Sequence, residues 1–309
     1  MRAATTTEFP LGASPTIADE SPARLALRRL LQHRSAQVGF VMLLLLILTA
    51  LFADRIAPFD PLLPLENVVR RSTPCIHLLG CAADQPQHLM GIDGNNRDLF
   101  SRVVYGSRLS LQVGITTVSA AILVGGLLGA LAGFLGGWPD DLIMRALDIL
   151  MAFPSLLLAI SIVAVLGPGL INSLLAIAIT EIPVYARVVR AGVVAVKDHD
   201  FVTASRALGA SRMRLLFVRV LPSSLTPLIV QGTLGIATAI LSAAALSFLG
   251  LGAEFPIPEW GLMLGEERNS VFNAPHLVLF PGIAIMVTVL SFNLIGDGLR
   301  DALDPRLHH

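Results

Sequence analysis

Six stretches of nearly continuous apolar residues decide which solvent this chain is built for. They run roughly from Val38 to Ala53, Leu109 to Leu135, Leu142 to Leu166, Leu170 to Val189, Leu225 to Leu249 and Leu277 to Ile295. Crossing the hydrocarbon of a bilayer takes about 20 mostly apolar residues in helical form, because a helix satisfies its own backbone where no water can. Each stretch is apolar all round rather than along one stripe, as suits lipid or a crowded bundle. The expectation is an all-α membrane protein with six transmembrane helices. Composition agrees: the 309 residues are 54% hydrophobic and only 14% charged, too little charge to clothe a soluble domain of this length.

The charges carry information through their placement. Formal net charge is zero, and all but one of the 22 basic residues are arginines, so no overall field points to nucleic acid. Arg24, Arg28, Arg29 and Arg34 precede the first apolar stretch, and Arg187, Arg190, Lys197, Arg206, Arg212, Arg214 and Arg219 follow or end the fourth. Both regions, with Arg300 and Arg306 at the end of the chain, are expected on the cytoplasmic side. The segment Gly250 to His276 holds Arg268 against Glu254, Glu259, Glu266 and Glu267, as expected outside. Six arginines between Arg55 and Arg108 run against that bias. The first stretch begins too late and ends too bulkily, at Leu51-Phe52-Ala53, for a cleaved signal peptide, so an uncleaved anchor is expected. Before it, Met1 to about Ser21 reads as a disordered tail and Arg24 to Arg34 as a short amphipathic surface helix.

One polar interruption stands out, DHDFVTASRALGASRMRLLFVRVLP from Asp198 to Pro222. Asp200 is expected to cap a short helix from Phe201 to Leu208, and Gly209 to break it in a left-handed turn. Ser211 would cap a second helix, Arg212 to Val220, with Pro222 as its stop. Met213, Leu216, Phe217 and Val220 should share one side of that helix. From physics alone this is either a knob offered to a partner or a basic hairpin lying on anionic lipid.

Thr203-Ala204-Ser205, Gly209 and Val220-Leu221-Pro222 resemble the E-A-A-x-x-x-G and I-x-L-P pattern of the coupling loop in ABC importer membrane subunits. Thr203 stands where that family has an acidic residue, and Ser205 where it has a second alanine. The blocks Ile92 to Gly114, Asp140 to Ile160, Ser242 to Leu264 and Phe280 to Leu307 resemble, in the same order, the second permease subunit type of dipeptide, oligopeptide and nickel importers. The resemblance implies a type I importer permease fold. The chain would divide into a cytoplasmic tail with an amphipathic segment (1–35), a first transmembrane helix (36–53), an extracytoplasmic loop (54–106) and a permease domain (107–309) with its coupling loop at 198–222. It implies a multi-pass protein of the bacterial cytoplasmic (inner) membrane, both termini cytoplasmic, forming half of a translocation path for dipeptides, oligopeptides or similar small peptides. Relatives carrying glutathione or nickel chelates are the nearest alternative, and a stand-alone secondary transporter or channel is the alternative of another class. The implied partners are a second homologous permease subunit, two ATP-binding subunits, an extracytoplasmic peptide-binding protein and membrane lipid. Thr203, Ala204, Ser205, Gly209, Ala210, Leu221 and Pro222 would meet the ATPase.

No catalytic, cofactor or metal residues are expected in this chain. The one lysine, Lys197, follows no glycine-rich loop, so ATP would be held by partner subunits, and no nucleophile elbow or H-E-x-x-H motif is present. Glu181, in the middle of the fourth stretch beside Pro183, either lines the substrate path or locks helix packing. Cys75 and Cys81 favour a disulfide over free thiols, or over a metal site with His77 and His88. Trp260 suits the membrane interface. Arg145 and Asp148 should pair with each other. Asp297, Asp301 and Asp304 should make helix-end ion pairs near Arg300 and Arg306.

Overall fold

The computed structural model describes residues 32–82 and 86–303, together with Arg28 and Leu30. The expected N-terminal tail, most of the surface helix, Ala83–Gln85, and Asp304 and Arg306 lie outside the described residues. The elements are α1 (Arg34–Leu51), α2 (Ala53–Ile56), α3 (Leu99–Leu135), α4 (Gly137–Met151), α5 (Ser155–Leu166), α6 (Leu170–Val196) and α7 (Asp200–Ala207). After these come α8 (Arg212–Arg214), a π-helical stretch (Leu215–Val220), α9 (Leu221–Ser223), α10 (Thr226–Phe248), α11 (Trp260–Glu267) and α12 (His276–Leu303). Among the described residues there is no β-strand, only isolated antiparallel bridges at Cys75–His88 and Ile92–Asp98.

The expected count of six spans is not reached by length and composition. Four helices, α1, α3, α10 and α12, are long and apolar enough to cross a membrane, and α4 with α5 makes up to five if that bent pair is one span. The third expected helix is in fact this pair, bent by 89°. Pro154 is the cause: it has no N–H to give and its ring crowds the preceding turn. The fourth expected span forms the 27-residue α6. It carries Glu181, Arg187 and Arg190, and it accommodates Pro183 without interruption.

α3 begins at Leu99, not Leu109. Asp98 caps it, accepting from the Ser101 N–H at 2.8 Å. At about 1.5 Å per residue its 37 residues reach roughly 55 Å, well beyond a bilayer's ~30 Å hydrocarbon core. Its polar first turns therefore stand outside the core, where they meet the loop after α10.

α3 and α6 form the centre. Gly125, Gly129 and Gly133 recur every four residues on one face of α3, against the α6 backbone at Ile182, Ala186 and Arg190. A Cβ at Gly125 would stand 2.5 Å from the Ile182 carbonyl oxygen, and one at Gly133 2.9 Å from that of Arg190. Helices can approach this closely only where side chains are absent. Val113, Val118 and Ala130 of α3, Val163 of α5, Ile177, Val189 and Val193 of α6, and Leu246 of α10 complete the core around that seam. α1 rests on α12, with Gly39 against Leu294 and Gly298 against Ala36.

Candidate functional site

The segment Asp198 to Pro222 folds as a helix, a tight turn and a second helical run. α7 starts at Asp200, with His199 in the cap position and no side-chain hydrogen bond there; the expected cap, Asp200, is its first helical residue. Gly209 has φ +86°. Ser211 caps the second run, its hydroxyl accepting from the Arg214 N–H at 3.4 Å. That run does not stop at Pro222. It passes through the π-helical stretch into α9.

The widened turn changes which face is inside. Leu215, Leu216 and Val220 are buried, whereas Met213 and Phe217, expected beside Leu216 and Val220, are exposed. Val202, Leu215, Leu216 and Val220 join the central core. Leu208, at the tip, is 89% exposed, and Phe201 and Val218 are also open. Thr203 and Ala204 are exposed, and Ser205 and Ala210 half-buried. The Ser205 hydroxyl donates to the Phe201 carbonyl at 2.8 Å. The result is a knob anchored on one side to the helix bundle and bare on the other.

Glu181 is half-buried on α6, and no hydrogen bond or ion pair holds it among the described residues. Tyr185, one turn on, is fully buried against Gly235 of α10. Its hydroxyl has no hydrogen-bond partner.

Cys75 and Cys81 are joined by a disulfide, Cα–Cα 5.3 Å, and no cysteine is free. His88, instead of joining the cysteines at a metal, places Nδ1 2.9 Å from Asp98 Oδ1. Among the described residues no cluster of three or more His, Cys, Asp or Glu could hold a metal ion.

At the opposite end from the knob, four of the six arginines between Arg55 and Arg108 find carboxylate partners. Arg97 and Arg102, 1% and 0% exposed, share Asp93 and Glu266: Arg97 donates to Asp93 at 2.8 Å and to Glu266 at 3.1 Å. Arg102 lies 3.5 Å from Asp93 and 3.4 Å from Glu266. Both also donate to the Pro256 carbonyl, and Arg102 to that of Pro61. Arg71 pairs with Glu267 at 3.0 Å, and Arg108 with Asp54 at 2.9 Å. Burial pushes the Glu266 carboxyl up, while Arg102 and Arg97 pull it back down. Arg108 and Tyr105 hold Asp54 below its ordinary value. Charges as deeply buried as Arg97, Arg102 and Asp93 are tolerated only when paired and hydrogen-bonded.

Two further placements differ from the sequence reading. Trp260 is buried, its indole N–H donating to the Val103 carbonyl at 3.0 Å and its ring filling the space over Gly106. A missing Cβ on α3 makes the slot, so the tryptophan is a wedge between outer elements and not a lipid anchor. Asp148 pairs with Arg187 at 2.5 Å, not with Arg145, and Asp140 grips Arg190 through two bonds at 2.6 Å. At the end of α12, Asp301 lies 3.5 Å from His33. The glycine stripe and the shared arginines were missed; the stripe alone had a readable signal, its four-residue spacing.

A family model described as "Binding-protein-dependent transport system inner membrane component" matches residues 125–309, so its match includes both the knob and α6. This chain belongs to that family. A second model, "N-terminal TM domain of oligopeptide transport permease C", matches residues 21–71 of the permease. The permease is 49% identical to the dipeptide transport system permease protein DppC of Alkalihalophilus pseudofirmus, over 93% of this chain and 91% of that one. It is 47% identical to the di/tripeptide transport system permease protein DppC of Pseudomonas aeruginosa, over 96% of each. It is 42% identical to the glutathione transport system permease protein GsiD of Pectobacterium atrosepticum, again over 96% of each. Its fold matches a chain of the inward-facing MetNI methionine ABC transporter with TM-score 0.54 at 18% identity, covering 67% of this permease and 98% of that chain. The protein is thus a multi-pass inner-membrane permease subunit of an ABC importer with the type I importer fold, and ATP hydrolysis lies in separate subunits.

Proposed function

We propose that this permease forms half of a translocation path for short peptides. It would work beside a second homologous permease subunit, two ATP-binding subunits and an extracytoplasmic peptide-binding protein. The observation that carries the assembly is the knob: it is rooted in the core through Val202, Leu215, Leu216 and Val220, yet leaves Leu208, Phe201 and Met213 bare. Apolar residues on a tip so firmly supported fit a protein partner's cleft. Thr203, Ala204, Ser205, Gly209, Ala210, Leu221 and Pro222 are assigned to that contact, which puts the knob and both termini in the cytoplasm. Four of the six arginines between Arg55 and Arg108 are ion-paired, Arg71 with Glu267, Arg97 and Arg102 with Asp93 and Glu266, and Arg108 with Asp54, which lessens the weight of that stretch against this orientation. On the outer side Phe255 and Phe272 are exposed and suit docking of the binding protein. Glu181, unpaired and half-buried on the central helix, is assigned to the path lining. ATP is bound by the partner subunits, and this chain takes no cofactor.

Peptides are preferred as cargo because dipeptide and di/tripeptide permeases are similar to this chain over nearly its whole length; the likeness to a glutathione permease makes that tripeptide the second reading. Purification through a tag on this chain should bring an ATPase and a second permease with it. ATP hydrolysis should then rise with the cognate binding protein loaded with dipeptide. Stimulation by glutathione but not by dipeptides would transfer the assignment to glutathione, and absence of any ATPase from the preparation would leave a stand-alone transporter.

A further inference from the structure

The basic residues of the knob are not used by the contacts described so far. Arg206, Arg212, Arg214 and Arg219 make no ion pair with any carboxylate among the described residues, unlike the arginines at the outer end. Two of them meet over a recess of about 350 Å³ lined by Phe134, Leu135, Arg206, Ala210, Arg212 and Leu215. Its floor is the last turn of α3, a membrane-crossing helix that ends at Leu135. Its roof is the turn around Gly209, with Arg206 on α7 and Arg212 at the start of α8. Lys197 donates to the Gly133 carbonyl at 3.0 Å, so one of the terminal carbonyls of α3 is offset by a cation.

Two guanidiniums above an apolar floor, at the end of a helix long enough to cross a membrane, match an amphiphile with an anionic head and an apolar tail. Arginine pairs with phosphate oxygens through paired donors. Leu135, which lines the recess, is itself exposed, so apolar surface continues beyond it. A carboxylate of the ATPase would satisfy the arginines equally well but not the floor.

We propose that this recess holds the phosphodiester headgroup of an anionic phospholipid of the cytoplasmic leaflet, wedged between the end of α3 and the knob. The bound lipid supports the knob from the side opposite Leu208, so coupling to the ATPase depends on anionic lipid. This rests on the cytoplasmic placement proposed above. Co-purification of the ATPase is therefore scored in the same samples, so that failure of the placement and failure of the lipid site are told apart.

The test uses the assembled importer in mixed phosphatidylcholine and phosphatidylglycerol nanodiscs. In the wild type, a phosphatidylglycerol carrying a photoreactive headgroup should label peptides containing residues 134–135 or 206–212. Native mass spectrometry should show retained phosphatidylglycerol that falls about tenfold or more in the Arg206→Gln, Arg212→Gln double variant. The Arg214→Gln, Arg219→Gln double variant, which removes an equal charge outside the recess, should retain it. Leu135→Ser, with both arginines present, should weaken retention as well. Labelling elsewhere, or unchanged retention in the double variant, overturns the proposal. Displacement of the label by inorganic phosphate would make the recess a free-phosphate site and also overturns it. Loss of the ATPase from the double variant with lipid retention unchanged would show that the arginines serve the protein partner instead.

Discussion

At the scale of single residues, Gly209 shows how a position can matter without touching anything. A Cβ built there meets no atom within 4 Å, yet φ is +86°. The cost of a side chain is therefore conformational, about 1–2 kcal/mol for a β-branched residue in the left-handed region. Gly209→Val should re-aim α7 against α8, so transport and substrate-stimulated ATP hydrolysis fall together while the chain still inserts. Gly209→Asn should be tolerated, since asparagine visits that region readily. Uptake and ATPase assays on the two variants check this, and equal activity in both would remove the left-handed turn from the mechanism. Arg102 is the opposite case. It is wholly buried, and its significance lies in Asp93, Glu266 and the Pro256 carbonyl, groups contributed by other elements.

At the scale of elements, the α3–α6 seam separates two neighbouring glycines by function. Gly129 lies directly against the Ala186 backbone, whereas a Cβ at Gly126 would find only the Val189 side chain at 3.9 Å. Gly129→Ala should force the helices apart and cost roughly 1–3 kcal/mol, as overpacking does. Gly126→Ala should be neutral or mildly stabilising, since alanine is the better helix former. Thermal unfolding of the detergent-solubilised importer reads the difference, and equal midpoints would mean that the seam is not close-packed in solution. The stripe at positions 125, 129 and 133 could be read from the sequence by its spacing, but its partner could not. Nothing in the apolar run of α6 marks Ile182, Ala186 and Arg190 as the receiving face. The bend between α4 and α5 was also readable in principle, through Pro154. Its size of 89° depends on what each half packs against.

At the scale of the whole molecule, the charge distribution becomes coherent only after folding. The first long loop holds more arginines than an outside loop should. Glu266, which serves both Arg97 and Arg102, lies 169 and 164 residues further along the chain. Folding leaves Arg97 and Arg102 as paired, buried charges at the end of the molecule opposite the knob. Cysteines placed singly at Phe272 and Leu208, 96% and 89% exposed, should therefore react from opposite sides of the membrane, in a background lacking Cys75 and Cys81. An impermeant thiol reagent applied outside intact cells should label position 272 alone. Labelling of position 208 alone would invert the orientation and the coupling assignment with it.

Composition and local pattern were enough to determine a helical membrane chain, the turn at Gly209 and the family resemblance, though not the number or bounds of its spans, because each depends on residues within a few turns of one another. Hydrophobic length, glycine's freedom at positive φ and motif order are all local quantities. Tertiary structure alone decided that Trp260 is a wedge over Gly106 instead of an interfacial anchor, and that Asp148 pairs with Arg187 instead of Arg145. It likewise decided that Leu215 lies inside while Met213 and Phe217 lie out. In each case several partners were chemically equivalent. What selected one of them was a slot over Gly106 for the tryptophan, the packing of the α4–α5 pair beside α6 for Asp148, and a widened helical turn packed on the core for Leu215.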